Sequence, residues 1–277
     1  MRRTFTLFAA AFSAVALCQS PTPTDTSAKH FVFGEVRQLR SVALGQDRVL
    51  NIYLPDGYRD TTATYPVIYV LDGSANEDFP HIAGLVQYMN MYELLFKSIV
   101  VGIANLGPSR YHDFTHPTKS DSDLVWLPTG GGSAAFIQFL EKEVQPFVVQ
   151  HYRTNGVRTI IGQSAGGLLA TEILFTKPEL FDNYILVSPS LWWDDGYLAG
   201  KADTWAKANG TLAKHVFVAM AHDDDMMQDD VNKVIAAFKT NAKEPMEWHY
   251  EFFPEETHAT ILHRSVYRAF EWLTSGK

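Results

Sequence analysis

Two hydrophobic patterns occur in turn along most of the chain: short continuous apolar runs, and stretches in which apolar residues recur at helical spacing. Short continuous apolar runs are typical of strands buried on both faces of a sheet, and they occur at 65–71, 98–104, 159–161, 184–187 and 215–220. Most are followed by stretches whose apolar residues recur at helical spacing, at about 81–96, 133–149, 168–174, 227–238 and 260–275. Pro146 predicts a kink or an end in the second of these helices.

Three further stretches alternate strictly between apolar and polar residues. Residues 36–44 and 48–54 are joined at Gly45–Asp47 and predict an antiparallel hairpin, while 246–252 predicts a half-exposed strand. Strands separated by helices predict an α/β protein with a mostly parallel, twisted sheet and helices on both faces. We find no internal repeat, and we expect a single catalytic domain over residues 35–277.

One long segment, Asn105–Gly132, shows no periodicity. It carries three prolines and ends in three successive glycines. Loops of this length in compact domains usually carry function, so we expect this segment to border a site.

The N-terminus has the pattern of a secretory signal peptide. Met1–Arg3 is basic, the run from Thr4 to Leu17 is apolar but short for a membrane span, and small residues follow. We therefore predict a signal peptide over 1–18, a flexible Pro- and Thr-containing tether over 19–34, and a secreted or periplasmic protein without a membrane span after cleavage. Lipoprotein anchoring at Cys18, the only cysteine, is the less favoured alternative because Leu17 fits it poorly.

Composition narrows the function. The formal net charge is −8 and no basic run follows the N-terminus, which argues against nucleic acid and anionic membranes as partners. We expect a small-molecule substrate and a monomer or small homo-oligomer.

The chemistry centres on Gly162-Gln163-Ser164-Ala165-Gly166, which lies between an apolar strand and a helix. At such a sharp strand-to-helix turn, the central serine is held exposed in strained geometry. The hydroxyl of Ser164 can then attack a substrate, and the N–H of Ala165 at the helix N-terminus can stabilise an oxyanion. The strand ending at Leu71 leads to Ser74, whose N–H we predict as the second oxyanion donor.

A serine nucleophile needs a downstream carboxylate and histidine. His258 is the predicted base because it lies in the loop before the last helix, whereas His249 lies on a polar strand face and His263 inside the helix. For the acid we choose Asp224, with Asp223 and Asp225 as alternatives, in the acidic cluster after the fifth apolar run. Adjacent carboxylates cannot all converge on one ion, so we predict no metal, and the chemistry needs no cofactor.

Five segments resemble the esterase family of the α/β hydrolases, which includes enterochelin and other siderophore esterases, feruloyl esterases, S-formylglutathione hydrolases and mycolyltransferases. The segments are Tyr65–Gly73, Arg110–Thr115, Gly162–Gly167, Ser188–Trp193 and Phe253–His258. The resemblance implies the α/β-hydrolase fold from about residue 35 onward.

The resemblance also implies roles for individual residues. It points to Ser164 as nucleophile, His258 as base, the amides of Ser74 and Ala165 as oxyanion donors, and Asp224 as acid. Because alanine at 221 stands where the family usually has glycine, the register of the acid is open by one residue. Some siderophore esterases of the family are expected to use a serine–histidine pair alone.

Two further features concern substrate binding. Trp192 and Trp193 are either a platform for an aromatic or acyl group or core residues. Arg110 either meets a substrate carboxylate or catecholate or forms an internal salt bridge with Asp113.

The residues therefore predict a secreted serine esterase that acts through an acyl-enzyme, and the resemblance implies siderophore esters as its substrates. The alternatives are a feruloyl or acetyl esterase acting on polysaccharide, an acyltransferase using the same residues, and a non-catalytic binding protein on the same fold.

Overall fold

The computed structural model describes residues 30–105 and 107–275. The predicted signal peptide, Cys18 and the greater part of the predicted tether lie outside the described residues. The compact unit begins at Phe33. Within the described ranges, no helix is both long enough and apolar enough to cross a bilayer.

Eight strands form one sheet in the order β1-β2-β4-β3-β5-β6-β7-β8. The two hairpin strands β1 and β2 pair antiparallel, β2 pairs antiparallel with β4, and all remaining pairs are parallel. This confirms the predicted mostly parallel sheet and N-terminal hairpin. The strands are β1 Glu35–Arg40, β2 Asp47–Tyr53, β3 Tyr65–Leu71, β4 Ile99–Ile103, β5 Thr154–Gln163, β6 Asn183–Val187, β7 His215–Ala221 and β8 Glu247–Phe253.

The helices follow the strands and cover both faces of the sheet. They are α1 Asp78–Met91, α2 Ser109–Phe114, α3 Asp121–Trp126, α4 Ser133–Phe139, α5 Gln145–His151, α6 Ala165–Thr176, α7 Trp193–Asn209, α8 Asp225–Asn241 and α9 Ile261–Thr274. Along β3, Tyr69 packs in the core beneath α4–α8, whereas Ile68 packs in the core beneath α1 and α9. Successive strand residues point to opposite faces, so continuous apolar runs build two cores at once.

Three parts of the helical prediction need correction. The aperiodic segment 105–132 contains the short helices α2 and α3, each of six residues. Helix α7 was not predicted, because its first turn includes the left-handed residues Asp194, Asp195 and Gly196 and it lacks a clear apolar stripe. Before Pro146, the stretch Leu140–Val144 forms a π-helical turn, which accommodates the proline without ending the helix.

Candidate active site

Ser164 occupies the sharp turn between β5 and α6. Its backbone has φ 58° and ψ −122°, a region that costs a non-glycine residue about 1–3 kcal/mol and is held only where the surroundings fix it. A Cβ on Gly162 would lie 2.3 Å from the Gly166 carbonyl oxygen, and one on Gly167 would lie 2.9 Å from Pro189 Cα. The glycines around Ser164 therefore permit the close approach of strand, helix and the turn after β6.

His258 lies in the loop between β8 and α9, as predicted. Its Nδ1 is 3.0 Å from Oδ1 of Asp223, and its carbonyl oxygen accepts a hydrogen bond from the side-chain amide of Gln163. A carboxylate can only accept, so this contact places a proton on Nδ1 and leaves Nε2 free to accept one. The Asp223 side chain is 2% exposed and that of His258 is 41% exposed, which gives a buried acid and an accessible ring.

The prediction of Asp224 as the acid is wrong by one residue. Its Oδ1 accepts a hydrogen bond from the Met227 N–H at 2.8 Å and caps the N-terminus of α8. Capping satisfies a free amide at the start of the helix, and it turns this carboxylate away from the histidine. Asp223, the first alternative, instead contacts His258. Asp225 is exposed and is the first residue of α8.

A cavity of about 650 Å³ brings the predicted catalytic groups together. Ser164, Ala165, Asp223 and His258 all line it, even though they come from three different loops. These loops follow the carboxyl ends of β5, β7 and β8, the edge at which sites form in parallel sheets. A cavity of this size is typical of a small-molecule site.

Three aromatic side chains form one side of the cavity, and we call them the aromatic wall: Tyr111 on α2, Trp126 on α3 and Trp192 before α7. The ring centroids of Tyr111 and Trp126 lie 5.7 Å apart, and those of Trp126 and Trp192 lie 5.5 Å apart, both pairs edge to face. Of these three residues, only Trp192 was predicted from the sequence to lie near the site. Tyr111 and Trp126 lie in the segment expected to border a site, but nothing in their spacing marked them.

Trp193 is mainly a core residue. It touches the cavity, but it is only 1% exposed and its indole N–H donates to the His116 carbonyl at 2.8 Å. The core reading therefore applies to Trp193, while the platform role of Trp192 stays a prediction.

Arg110 does not line the cavity, so the structure does not support its proposed contact with substrate. Its guanidinium binds both carboxylate oxygens of Asp72, at 2.6 and 2.7 Å. The internal salt bridge is real, but its partner is Asp72, whereas Asp113 pairs with Arg48. Despite opposing burial, the hydrogen bonds that Arg110 donates to Asp72 raise the pKa of Arg110 above its usual value. Asp72 has φ 55°, so the pair fixes the turn after β3.

The predicted oxyanion donors differ in position. Ala165 is the first residue of α6 and lines the cavity. Ser74 lies directly after the turn that follows β3; it is buried and is not among the cavity-lining residues. The Gly73 N–H donates to the Ile103 carbonyl at 3.0 Å and Asn51 donates to the Gly73 carbonyl at 2.8 Å, which anchors this turn. The donor role of both amides stays a prediction.

A buried polar cluster lies behind Trp193. Burial raises the pKa of Glu172 on α6 to about 7, against a hydrogen bond donated by Ser133 at 3.0 Å. Burial lowers the pKa of His116, whose Nδ1 is 3.9 Å from Glu172 Oε2. Burial therefore disfavours the charged forms of both the imidazole and the carboxyl group in this cluster.

In the described ranges, no group of three or more His, Cys, Asp or Glu side chains is arranged to hold a metal ion. A serine at a strand-to-helix elbow, together with a histidine and aspartate from the ends of the last two strands, defines the class: the protein is an α/β hydrolase.

Comparison with known proteins assigns the family within that class. The family described as "Putative esterase" matches residues 41–268, and the chain belongs to it. The sequence is 28% identical over 260 residues to the ferri-bacillibactin esterase BesA of Bacillus subtilis, covering 86% of this chain and 88% of that protein. It is 43% identical over 101 residues to a siderophore enterobactin esterase of Emericella nidulans, covering 32% of each chain.

A solved structure supports the same class of protein. The crystal structure of an IroE-like serine hydrolase from Shewanella oneidensis superposes with a TM-score of 0.78 at 28% identity, covering 87% of this chain and 80% of that one. Family and relatives together support hydrolysis of carboxylic esters.

Proposed function

We propose that the protein is a serine esterase that hydrolyses siderophore esters through an acyl-enzyme intermediate. The observation that carries the proposal is the convergence of Ser164, Asp223 and His258 on one cavity, with Asp223 bound to the ring nitrogen of His258. The names of the relatives supply the substrate class, since two of them are siderophore esterases.

The proposed reaction begins when Ser164 Oγ attacks the ester carbonyl carbon and its proton passes to His258 Nε2. Asp223 keeps the ring oriented and stabilises its charged form. The N–H groups of Ala165 and Ser74 would stabilise the oxyanion, His258 returns the proton to the leaving alcohol, and water then releases the acid by the same route.

The aromatic wall supports a substrate that carries aryl groups. Edge-to-face rings leave faces on which a further aromatic ring can pack. An aryl-bearing siderophore suits a cavity lined by the rings of Tyr111, Trp126 and Trp192 as well as by Ser164. A feruloyl ester also carries an aromatic ring and would pack on the same wall. The choice between a siderophore ester and a feruloyl ester therefore depends on the alcohol part of the substrate.

The charge of the cavity favours an iron-free substrate. Its lining includes Asp223 and Asp224, and none of the lining residues in the described chain is lysine or arginine. A catechol is neutral near pH 7, whereas iron(III) displaces the phenolic protons and leaves an anionic complex. Like charges would repel that complex at the cavity mouth.

Kinetics with wild type and Ser164→Ala tests the proposal. We expect wild type to hydrolyse p-nitrophenyl acetate and enterobactin, and Ser164→Ala to lose about 10⁴–10⁶-fold in kcat. A fluorophosphonate probe should label wild type only. Failure to label Ser164 would exclude the mechanism, and faster turnover of methyl ferulate than of enterobactin would favour the feruloyl alternative.

Iron dependence is tested on the same protein. We expect kcat/KM for iron-free enterobactin to exceed that for its ferric complex, and the Asp224→Asn variant, which keeps the helix cap, to narrow the difference. A preference for the ferric complex in wild type would contradict the charge argument.

We also propose that the basic and apolar N-terminus directs export, which is supported by its signal-peptide pattern. N-terminal sequencing of protein recovered outside the cytoplasm should show a chain that begins close after Cys18. A protein that retains Met1 would contradict export by cleavage.

A further inference from the structure

The turn that follows β6 contacts both ends of the catalytic group. Val187 ends the strand, Ser188 has φ 38°, and Pro189 packs against Gly167 of the elbow helix. Ser188 is fully buried and Ser190 is 6% exposed. Backbone strain of this kind persists only where surrounding contacts hold it, and both buried serines make such contacts.

On the nucleophile side, the turn holds Ser164 by backbone and side chain. The Ser164 N–H donates to the Val187 carbonyl at 3.0 Å, and the Ser190 N–H donates to the Ser164 carbonyl at 3.0 Å. The hydroxyl oxygen of Ser190 lies 3.2 Å from that of Ser164. The strained backbone and the reacting oxygen of Ser164 are therefore both tied to this turn.

On the acid side, Ser188 holds the carboxylate that orients the base. Its hydroxyl donates to Asp223 Oδ2 at 2.6 Å and accepts a hydrogen bond from the Ala221 N–H at 3.3 Å. The other oxygen of Asp223 contacts His258. Because the Ala221 amide occupies a lone pair of the Ser188 hydroxyl, the hydroxyl hydrogen is directed to Asp223.

We propose that Ser188 and Ser190 act as a serine clamp that sets the reactive geometry, an inference that rests on the function proposed above. Ser190 donates its hydroxyl hydrogen to Ser164 Oγ, which leaves the Ser164 hydrogen free to point at His258 Nε2. During attack the Ser164 O–H bond breaks and its proton moves to His258 Nε2, while an electron pair of Ser164 Oγ bonds the carbonyl carbon and the carbonyl π pair moves to the carbonyl oxygen. Ser190 keeps its own proton throughout.

The two serines have different roles in this clamp. Ser190 touches the reacting oxygen and is a catalytic residue, because its hydrogen bond strengthens as charge develops on Ser164 Oγ. Ser188 acts through Asp223 and is a positioning residue. Its hydrogen bond stabilises the charged carboxylate of Asp223. The same bond therefore weakens the attraction between Asp223 and the proton on the His258 ring.

The first test measures kcat and KM with p-nitrophenyl acetate and the rate of fluorophosphonate labelling. Ser190→Ala should lose about 10- to 100-fold in kcat with little change in KM, and its labelling should slow in parallel. Ser190→Thr, which keeps a hydroxyl, should recover most of the rate. Ser265→Ala, which removes another buried serine on α9, is the matched control and should react as wild type.

The outcome separates the clamp from the function on which it depends. If wild type is not labelled, the proposed function fails. If wild type is labelled and Ser190→Ala is labelled as fast or faster, Ser190 does not donate to the nucleophile and the clamp is overturned.

The second test is the pH profile of Ser188→Ala. Removing the donor makes Asp223 more basic and stabilises protonated His258, so the acidic limb of kcat/KM should move to higher pH. A loss of rate without this displacement would mean that Ser188 is merely structural. Ser188→Gly, which suits the positive φ, removes the same hydroxyl and replaces the alanine variant if that one does not fold.

Discussion

The two sides of the cavity are built differently. The catalytic side comes from the ends of β5, β6, β7 and β8, where hydrogen bonds join Ser164, Asp223 and His258 to neighbouring strands. The aromatic wall comes from short helices and a loop, and Trp126 is 57% exposed. The proposed catalytic groups therefore follow the ends of sheet strands, whereas two of the three wall residues lie on six-residue helices. We expect the strand ends to set the geometry for bond cleavage and the short helices to set recognition of the substrate.

The largest expected effect is on kcat, and it distinguishes two neighbouring carboxylates on the catalytic side. Asp223→Asn should lower kcat for p-nitrophenyl acetate by about 10³–10⁴-fold because His258 loses the partner that fixes its tautomer. Asp224→Asn keeps a capping oxygen and should stay within about twofold. A larger loss in Asp224→Asn would restore the sequence-based choice of acid, and small losses in both would indicate a serine–histidine pair.

The next effect concerns the ion pair that joins α2 to the turn after β3. Arg110→Ala leaves the Asp72 carboxylate unpaired in a partly buried position, so the free energy of unfolding should fall by about 2–3 kcal/mol. Arg40→Ala breaks the exposed pair with Asp47 and should cost less than about 0.5 kcal/mol. Urea denaturation measures the free energy of unfolding of both variants. Equal losses would mean that the Arg110–Asp72 pair stabilises the fold no more than an exposed ion pair does.

The buried cluster of Glu172 and His116 behind Trp193 should make stability depend on pH. Folding raises the pKa of Glu172 to about 7, so its contribution is complete below the ordinary value and is lost as pH rises toward 7. Glu172→Gln, which can still accept from Ser133, should be about 1–2 kcal/mol more stable than wild type at pH 8. Thermal melts from pH 5 to 8 measure the difference.

Asp78 provides the check on that comparison. Burial, and then the charges of Asp72 and Glu77, raise its pKa to about 6, which gives a pH dependence of the same sign in both proteins. The difference in stability between wild type and Glu172→Gln at each pH therefore reports the titration of Glu172 alone. Parallel curves for wild type and Glu172→Gln would show that this carboxyl group titrates normally.

The smallest effect tests the wall itself. Trp126→Ala should raise KM for enterobactin about fivefold, with little change in kcat, because one ring contact is worth about 0.5–1.5 kcal/mol. The same variant should treat p-nitrophenyl acetate as wild type does. Tyr88→Ala, an exposed aromatic on α1, is the control, and an equal change in that variant would remove the wall from substrate binding.

The catalytic side was largely predictable from the sequence. An apolar strand, a Gly-x-Ser-x-Gly turn and a helix specify Ser164 through local geometry alone, and the loop position of His258 follows from the neighbouring strand and helix. The acid was missed by one residue because the choice between Asp223 and Asp224 depends on which carboxylate caps α8. A run of three aspartates carries no information on that choice.

The recognition side was less predictable, since it depends on contacts between distant segments. Arg110 meets Asp72 across 38 positions, and no local pattern favours that partner over Asp113. Helices of six residues, such as α2 and α3, are too short to show periodicity. The serines at 188 and 190 were part of a recognised segment, but their partners are visible only after β5, β6 and β7 are placed side by side.

The order of the strands has a consequence for biosynthesis. The proposed nucleophile, clamp, acid and base follow β5, β6, β7 and β8, which are neighbours in the sheet in the same order as in the chain. A nascent polypeptide has no complete catalytic group until residue 258 has left the ribosome. Chains that stop before residue 258 therefore lack the proposed base.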